Sequence, residues 1–407
     1  MTHLSGLDIN RLERITDHLQ RQYIDKGRIA GCQMAITRRG HAAYFRSFGL
    51  MDLAAAKPMA DDTIFRLYSM TKPITSVALM SLYEQGLFQL DDPVSRWVPS
   101  WDRQQVYVSG EGEAMRTEAP MRPVSIRDLL RHTAGLTYGG GLPGVGIQHP
   151  VDPVYRSLKV RSFGGSDSVA TFMDKLGQIP LAYQPGERWM YSLATDACGA
   201  LVEIISGMPF AQYLQQTIFD PLGMVDTSFQ VSADKQPRFA ANYQRGADKK
   251  LALIDDPATS AYLKAPGFCS GGGGLTGTTA DYLRFCEMLR RGGELDGTRI
   301  IGPRTLAMMH MNHLKSGQDL MSSAIGSFAE TAYAGVGFGL GFASTMDQVA
   351  AGVLGGGDYY WGGAASTIFA IDPKEQLSMV FMTQLMPSST FNFRGQLKNL
   401  LYGAIVD

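Results

Sequence analysis

Cysteine is scarce in this chain. Its four thiols, Cys32, Cys198, Cys269 and Cys286, stand far apart and form no C-x-x-C pair. In 407 residues that spacing argues against a disulfide framework or a cysteine-ligated zinc site and predicts reduced, buried thiols. Cys269, beside a glycine run, is the one thiol placed where a nucleophile could act. Charge is also sparse. Asp, Glu, Lys and Arg make up 18% of residues, the net charge is −1, and no basic block occurs. Neither a nucleic acid nor an anionic membrane is implied as a partner. No apolar run is long enough to span a bilayer. The N-terminus, Met1-Thr2-His3-Leu4-Ser5-Gly6-Leu7-Asp8, lacks the basic start and apolar middle of a signal peptide, so a cytoplasmic location is expected, or a periplasmic one if a leader was removed. No G-x-S-x-G stretch occurs, which argues against a serine presented on a strand-to-helix elbow.

What is present centres on Ser69-Met70-Thr71-Lys72 and the run Pro73 to Tyr83. No charged residue lies between Lys72 and Glu84, and apolar residues fall on every face of the implied helix. Such a helix is buried. It begins near Ser69, tolerates Pro73 in its first turn, and stops at Gly86. Ser69 and Lys72, three apart, share one face at its mouth. Desolvation there favours a neutral amine, which can take the proton of a neighbouring hydroxyl. Ser69 is the candidate nucleophile and Lys72 its partner. A second S-x-x-K match, Ser232 to Lys235, has no apolar run after it and reads as a surface turn.

In chain order, apolar residues at helical spacing (Ile9, Leu12, Ile15, Leu19, Tyr23) predict an amphipathic helix over Asp8 to Asp25. Gly31 to Ile36 and His41 to Phe48 predict a hairpin. Asp91-Asp92-Pro93 reads as a turn and cap in preference to a metal or acid/base pair. Val124 to Leu136 predicts a short capped helix ending in a glycine stop, with His132 either a structural hydrogen-bonder or a triad histidine. Tyr191 falls where a loop enters a second apolar helix, Ala197 to Ser206. It is either a core tyrosine or a phenol near Lys72 that acts as a base.

Two G-x-G-x-x-G matches, in Gly139 to Gly146 and at Gly272, Gly274 and Gly277, follow no apolar strand and are set aside as nucleotide loops. His310 and His313 have no third ligand near them and read as surface residues, leaving no metal or cofactor in the expectation. Strands return over Gly337 to Ser344, Ser366 to Ile371 and Leu377 to Leu385, and an amphipathic helix over Phe391 to Ile405 closes the chain. The pattern predicts an α/β (α+β) fold. Residues 1–60 and 265–407 would form a discontinuous antiparallel sheet domain flanked by terminal helices, and residues 61–264 an inserted, mostly helical domain carrying the nucleophile.

Six landmarks in order carry a resemblance over most of the chain: Ser69-x-x-Lys72, His132-Thr133-Ala134-Gly135-Leu136, Pro185-Gly186-Glu187 with Tyr191-Ser192, Pro221 to Met224, the Gly271–Gly274 run, and Trp361-Gly362-Gly363. The sequence resembles the penicillin-recognising serine hydrolases, in the class C β-lactamase branch with its class VIII carboxylesterases. The resemblance implies an active site in a cleft between the two domains. It casts Ser69 as the acylated nucleophile, Lys72 as the residue that accepts or relays its proton, and Tyr191 as the first residue of a Y-x-N motif. Which of lysine and tyrosine takes the proton is disputed for such sites. It places Trp361-Gly362-Gly363 where the family has Lys-Thr-Gly on an edge strand, and assigns the oxyanion hole to the backbone N–H groups of Ser69 and Ala364.

Two departures shape the expected activity. Leu193 stands at the asparagine of Y-x-N and Trp361 at the lysine of Lys-Thr-Gly. A pocket without its amide and its cation favours neutral, apolar acyl groups over penicillins. The expectation is a metal-free serine carboxylesterase for small short-chain esters, with weak cephalosporin cleavage possible. The alternatives are a β-lactamase, D-aminopeptidase or acyltransferase of the same fold, and a non-catalytic penicillin-binding homologue. Loops 102–123 and 137–166 are expected to shape the cleft.

Overall fold

The computed structural model describes residues 3–140, 148–161, 164–325 and 334–407. Most of the first glycine loop, Gly139 to Gly146, therefore lies outside the described residues. The amphipathic N-terminal segment forms helix α1 (Ile9–Leu19), capped by the Asp8 carboxylate and continued by a wider turn through Ile24. Leu12, Ile15, Leu19 and Tyr23 are buried as their spacing predicts, while Ile9, on the first turn, is exposed. The predicted hairpin is β1 (Gly31–Arg38) and β2 (His41–Asp52), turning at Arg39-Gly40, with the short β3 (Lys57–Pro58) beside β2.

The all-apolar helix is α2 (Thr71–Glu84), entered through a tight turn at Tyr68–Met70 and followed by Gly86 at φ +75°. Every residue from Thr71 to Met80 is buried. Helix α3 (Ile126–Leu130) carries the capping box of Ser125 and Asp128. Helix α4 (Ala194–Ser206) packs along α2, and α5 (Thr279–Arg290) starts from Thr278, whose hydroxyl accepts from the Asp281 N–H.

The chain then completes the sheet with β4 (Val336–Phe338), β5 (Ala343–Thr345), β6 (Tyr359–Gly363), β7 (Thr367–Asp372) and β8 (Leu377–Thr383), before the closing helix α6 (Phe393–Tyr402). The eight strands run antiparallel in the order β4-β5-β6-β7-β8-β1-β2-β3, so residues from both chain ends pair at its centre. The single strand expected over Gly337 to Ser344 is instead a tight hairpin, because Gly341 adopts φ +99° and turns the chain back.

Strand parity divides the sheet between two layers. Phe381 faces α6 through Phe393, with ring centroids 4.9 Å apart, and Tyr23 of the N-terminal segment packs on Phe393 at 4.7 Å. On the other face, Thr37 and Ser378 donate to the Glu287 carboxylate of α5 at 2.5 and 2.9 Å. Trp361 pairs with Phe369, whose ring meets Tyr282 of α5, so the indole shares the α5 face of the sheet. One apolar core runs from the sheet into the helices. Among the described residues, no single helix is long and apolar enough to cross a membrane.

Candidate active site

The turn that carries Ser69 is built from unusual backbone. Tyr68, immediately before it, has φ +44°, a left-handed conformation seldom adopted by a bulky residue. The turn is held from several sides. The Leu67 N–H donates to Leu275 O at 3.0 Å, the Leu275 N–H donates to Thr71 Oγ1 at 3.2 Å, and the Tyr282 hydroxyl donates to Met70 O at 2.9 Å.

Ser69 and Lys72 meet at its exit. Lys72 is 2% exposed and Ser69 9% exposed. The Lys72 Nζ donates to Ser69 Oγ at 3.1 Å and to the Gly272 carbonyl at 2.7 Å. The same nitrogen lies 4.5 Å from the centroid of the Tyr191 ring and 5.8 Å from that of Tyr138. The buried lysine nitrogen thus lies against two aromatic faces, one carbonyl and the serine hydroxyl.

Tyr191 stands just before α4, whose N-cap is Leu193. Its hydroxyl accepts from Trp361 Nε1 at 3.3 Å. The Tyr138 hydroxyl also hydrogen-bonds it; desolvation, then the neighbouring Tyr191 and Asp196, hold the Tyr138 phenol well above its ordinary pKa. Tyr138 is thus a neutral donor. Trp361 comes from β6, which the resemblance put on an edge strand. The strand is third from the end of the sheet, yet β5 pairs only with Tyr359 and Tyr360. The Trp361-Gly362-Gly363 motif follows those two positions, at the end of the strand that packs on Leu67.

Close packing brings the end of β6 to the serine turn. A Cβ on Gly363 would lie 2.3 Å from both the Leu67 carbonyl oxygen and Thr367 Oγ1, so only glycine fits there. Gly362 pairs with Ile368, and Ala364 opens the turn that follows. Four of the expected site residues therefore meet: Ser69 with Lys72, Lys72 with the Tyr191 ring, and Tyr191 with Trp361, while Leu193 caps the helix that follows Tyr191 and Gly363 packs on Leu67 two residues before Ser69.

Comparison with known proteins shows the family. The family model described as "Beta-lactamase" matches residues 16–402. The chain belongs to the beta-lactamase family. Protein Rv1367c of Mycobacterium tuberculosis (strain ATCC 25618 / H37Rv) is 34% identical, over 90% of this chain and 88% of that protein. Esterase EstB of Burkholderia gladioli is 32% identical, over 93% of this chain and 92% of the esterase. Among solved structures, "EstCE1, a hydrolase with promiscuous acyltransferase activity" superposes with a TM-score of 0.79 at 30% identity, covering 97% of this chain and 99% of that one.

Several residues of this beta-lactamase-family chain take places that the sequence left open or read differently. His132 lies beside Tyr191, ring centroids 5.0 Å apart, with Nδ1 3.4 Å from Ser192 Oγ and Nε2 3.3 Å from Thr195 Oγ1. Burial, with Lys72 nearby, pushes its pKa well below the ordinary value. A neutral imidazole with both nitrogens engaged is the structural hydrogen-bonder, wedged behind Tyr191. His310 and His313 are not surface residues: His310 stacks on Tyr359 at 4.7 Å, His313 lies 2.8 Å from the Met308 carbonyl, and both are half-buried. The surface reading failed because both rings, beyond the end of the helix Pro303–Met309, are covered by contacts of the folded chain. The Cys269 thiol is raised by burial to about 11, which suits a buried cysteine and not a nucleophile. The second S-x-x-K copy is an exposed turn, with Lys235 paired to Asp226 at 3.0 Å.

Three contributors were given no role by the sequence, although Gly272 lies in the landmark glycine run: the Tyr138 ring over Lys72, the Gly272 carbonyl, and Asp196. The Asp196 carboxylate, on the first turn of α4, accepts from Ser270 Oγ at 2.5 Å and from the Gly272 N–H at 3.1 Å. All three are contacts across long sequence separations, which a linear pattern does not record.

Proposed function

We propose that this protein is a serine carboxylesterase acting on small, neutral, short-chain esters through an acyl-enzyme on Ser69. The observation that carries the reading is the 3.1 Å contact between Lys72 Nζ and Ser69 Oγ, made in a pocket where Trp361 replaces the family's lysine. Ser69 Oγ attacks the ester carbonyl carbon and passes its proton to the Lys72–Tyr191 pair. The carbonyl oxygen gains negative charge facing the N–H groups of Ser69 and Ala364. Collapse expels the alcohol, which leaves with the transferred proton. Water, deprotonated by the same pair, then attacks the acyl carbon and frees Ser69. No metal or cofactor enters these steps.

Trp361 and Leu193, both buried, set the preference. They offer apolar surface where a penicillin would need a cation for its carboxylate and an amide for its side chain. Turnover of p-nitrophenyl butyrate beside a chromogenic cephalosporin tests the assignment, and faster cephalosporin cleavage would overturn it. Acyl transfer is the second reading, favoured by the likeness to EstCE1, whose name includes that activity. It predicts that an added acceptor alcohol accelerates release of p-nitrophenol and yields the new ester.

A further inference from the structure

We infer that Asp196 is a positioning residue for acylation: it fixes the Gly272 backbone whose carbonyl holds the Lys72 Nζ beside Ser69. The inference rests on the esterase reading of Ser69 and Lys72 and deepens it.

Gly272 is gripped at both ends. Its N–H donates to Asp196 Oδ1 at 3.1 Å, and its carbonyl accepts from Lys72 Nζ at 2.7 Å. The preceding peptide is held as well, since Gly271 O accepts from Thr75 Oγ1 of α2 at 2.8 Å. The loop is wedged as tightly as backbone allows. A Cβ on Gly272 would lie 2.4 Å from Asp196 Oδ2, and one on Gly271 would lie 2.7 Å from Thr195 O. The glycine run, set aside above as a nucleotide loop, thus threads between α2 and α4 to present one carbonyl to the lysine.

A carboxylate is a costly choice for this task. Asp196 is 1% exposed, and among the described residues its Oδ2 has no hydrogen-bond partner. An asparagine or serine would anchor the loop without stranding a charged oxygen. What the carboxylate adds is an anion across the loop from the Lys72 ammonium. The titratable groups facing Asp196 are Lys72 from α2, the Tyr138 phenol, and Cys198 on its own helix. Burial holds the Tyr138 and Cys198 groups neutral, and His132, which also faces Lys72, is neutral as well. Burial raises the Asp196 carboxyl above its ordinary value, while Lys72 and the two donors pull it back. Asp196 thus both anchors Gly272 and, in this inference, faces Lys72 with its carboxyl across the loop.

The test compares wild type, Asp196→Asn and Ser270→Ala by the pH dependence of Ser69 labelling with a fluorophosphonate and of p-nitrophenyl acetate hydrolysis. Circular dichroism and thermal melts accompany each variant. In Asp196→Asn, kcat is expected to fall roughly 10- to 100-fold with KM little changed, the scale of a displaced proton acceptor. The acid limb of the rate profile is expected to move to lower pH, because an ammonium without its counter-charge releases its proton sooner. Ser270→Ala keeps the charge and is expected to slow labelling by a few-fold, about one hydrogen bond's worth, without moving the limb. A folded Asp196→Asn with near-normal kcat, or with lower kcat but an unmoved limb, overturns the inference. Should Asp196→Asn not fold, a folded Ser270→Ala with unchanged labelling overturns it. Wild type that fails to label at Ser69 sinks the esterase reading and this inference together, whereas a labelled wild type beside an indifferent Asp196→Asn sinks this one alone.

Discussion

The indole N–H of Trp361 donates to the hydroxyl oxygen of Tyr191 across 3.3 Å. The tryptophan that removes a cation from the pocket thus keeps a donor aimed at the tyrosine. In the proposed mechanism a neutral N–H orients the phenol and stabilises the negative charge its oxygen carries as it gives its own proton to Lys72 and takes that of the serine. Trp361→Phe retains the ring and loses the donor. Its kcat for p-nitrophenyl butyrate is expected to fall about tenfold, the kinetic equivalent of one net hydrogen bond, with KM changed much less. Steady-state kinetics checks this, and an unchanged kcat would reduce Trp361 to a wall of the pocket.

Tyr191 is expected to matter more. Its ring is fixed by His132 at 5.0 Å and Trp361 at 5.5 Å, so Tyr191→Phe should fold normally. Turnover should fall by roughly two orders of magnitude or more, the usual scale for a lost general base. Near-normal turnover in a variant with an unchanged melting temperature would remove the phenol from the mechanism.

Gly363→Ala tests the wall that carries Ala364. The new Cβ would meet Leu67 O and Thr367 Oγ1 at 2.3 Å, so β6 must move off the serine turn. If Ala364 supplies an oxyanion donor, kcat should drop about 100-fold, in the range measured for losing such a donor. A fold-intact variant with wild-type kcat would show that the wall does not contribute.

The loop carrying His132 depends on Asp128. Its buried carboxylate accepts from Arg122 at 2.5 and 2.9 Å, from Arg131 at 3.0 Å, and from the Ser125 N–H and hydroxyl at 3.0 and 2.8 Å. Burial alone would raise this carboxyl, but Arg122, Ser125 and Arg131 together hold it below its ordinary value. A folded pKa depressed in this way contributes stability above the unfolded value of about 4 and loses it as pH falls through the folded value. Asp128→Asn should therefore destabilise the protein at pH 7 by on the order of 2–4 kcal/mol, discounted because Arg122 is partly exposed. The gap between variant and wild type should close below about pH 4. Thermal melts at pH 7 and pH 3 check the sign, and a gap that widens in acid would contradict it.

Local signals were legible in the sequence wherever a residue's role depends on its neighbours in the chain. The charge-free run after Lys72 foretold a buried helix, Ser125 and Asp128 foretold a cap, and Arg39-Gly40 foretold a hairpin turn. The resemblance supplied the order of the motifs. Tyr138, Gly272 and Asp196 stayed hidden because each acts through tertiary packing, by a ring face, a carbonyl and a buried carboxylate. β6 was expected from the resemblance and not from its residue pattern, because Gly362 and Gly363 weaken its propensity, although the lack of a side chain at Gly363 is what lets it reach Leu67. His310 and His313 were misread as surface residues because the ring of Tyr359 and the Met308 carbonyl meet them only in the folded chain, past the helix end at Met309.

The central claim is an ester bond made to Ser69 during turnover. Intact-mass and peptide mass spectrometry after brief exposure to p-nitrophenyl butyrate reads it directly. The account predicts one butyryl group on the peptide containing Ser69, no such adduct in Ser69→Ala, and loss of essentially all ester turnover in that variant. Sustained hydrolysis by folded Ser69→Ala, or an acyl group found on another side chain, would contradict it.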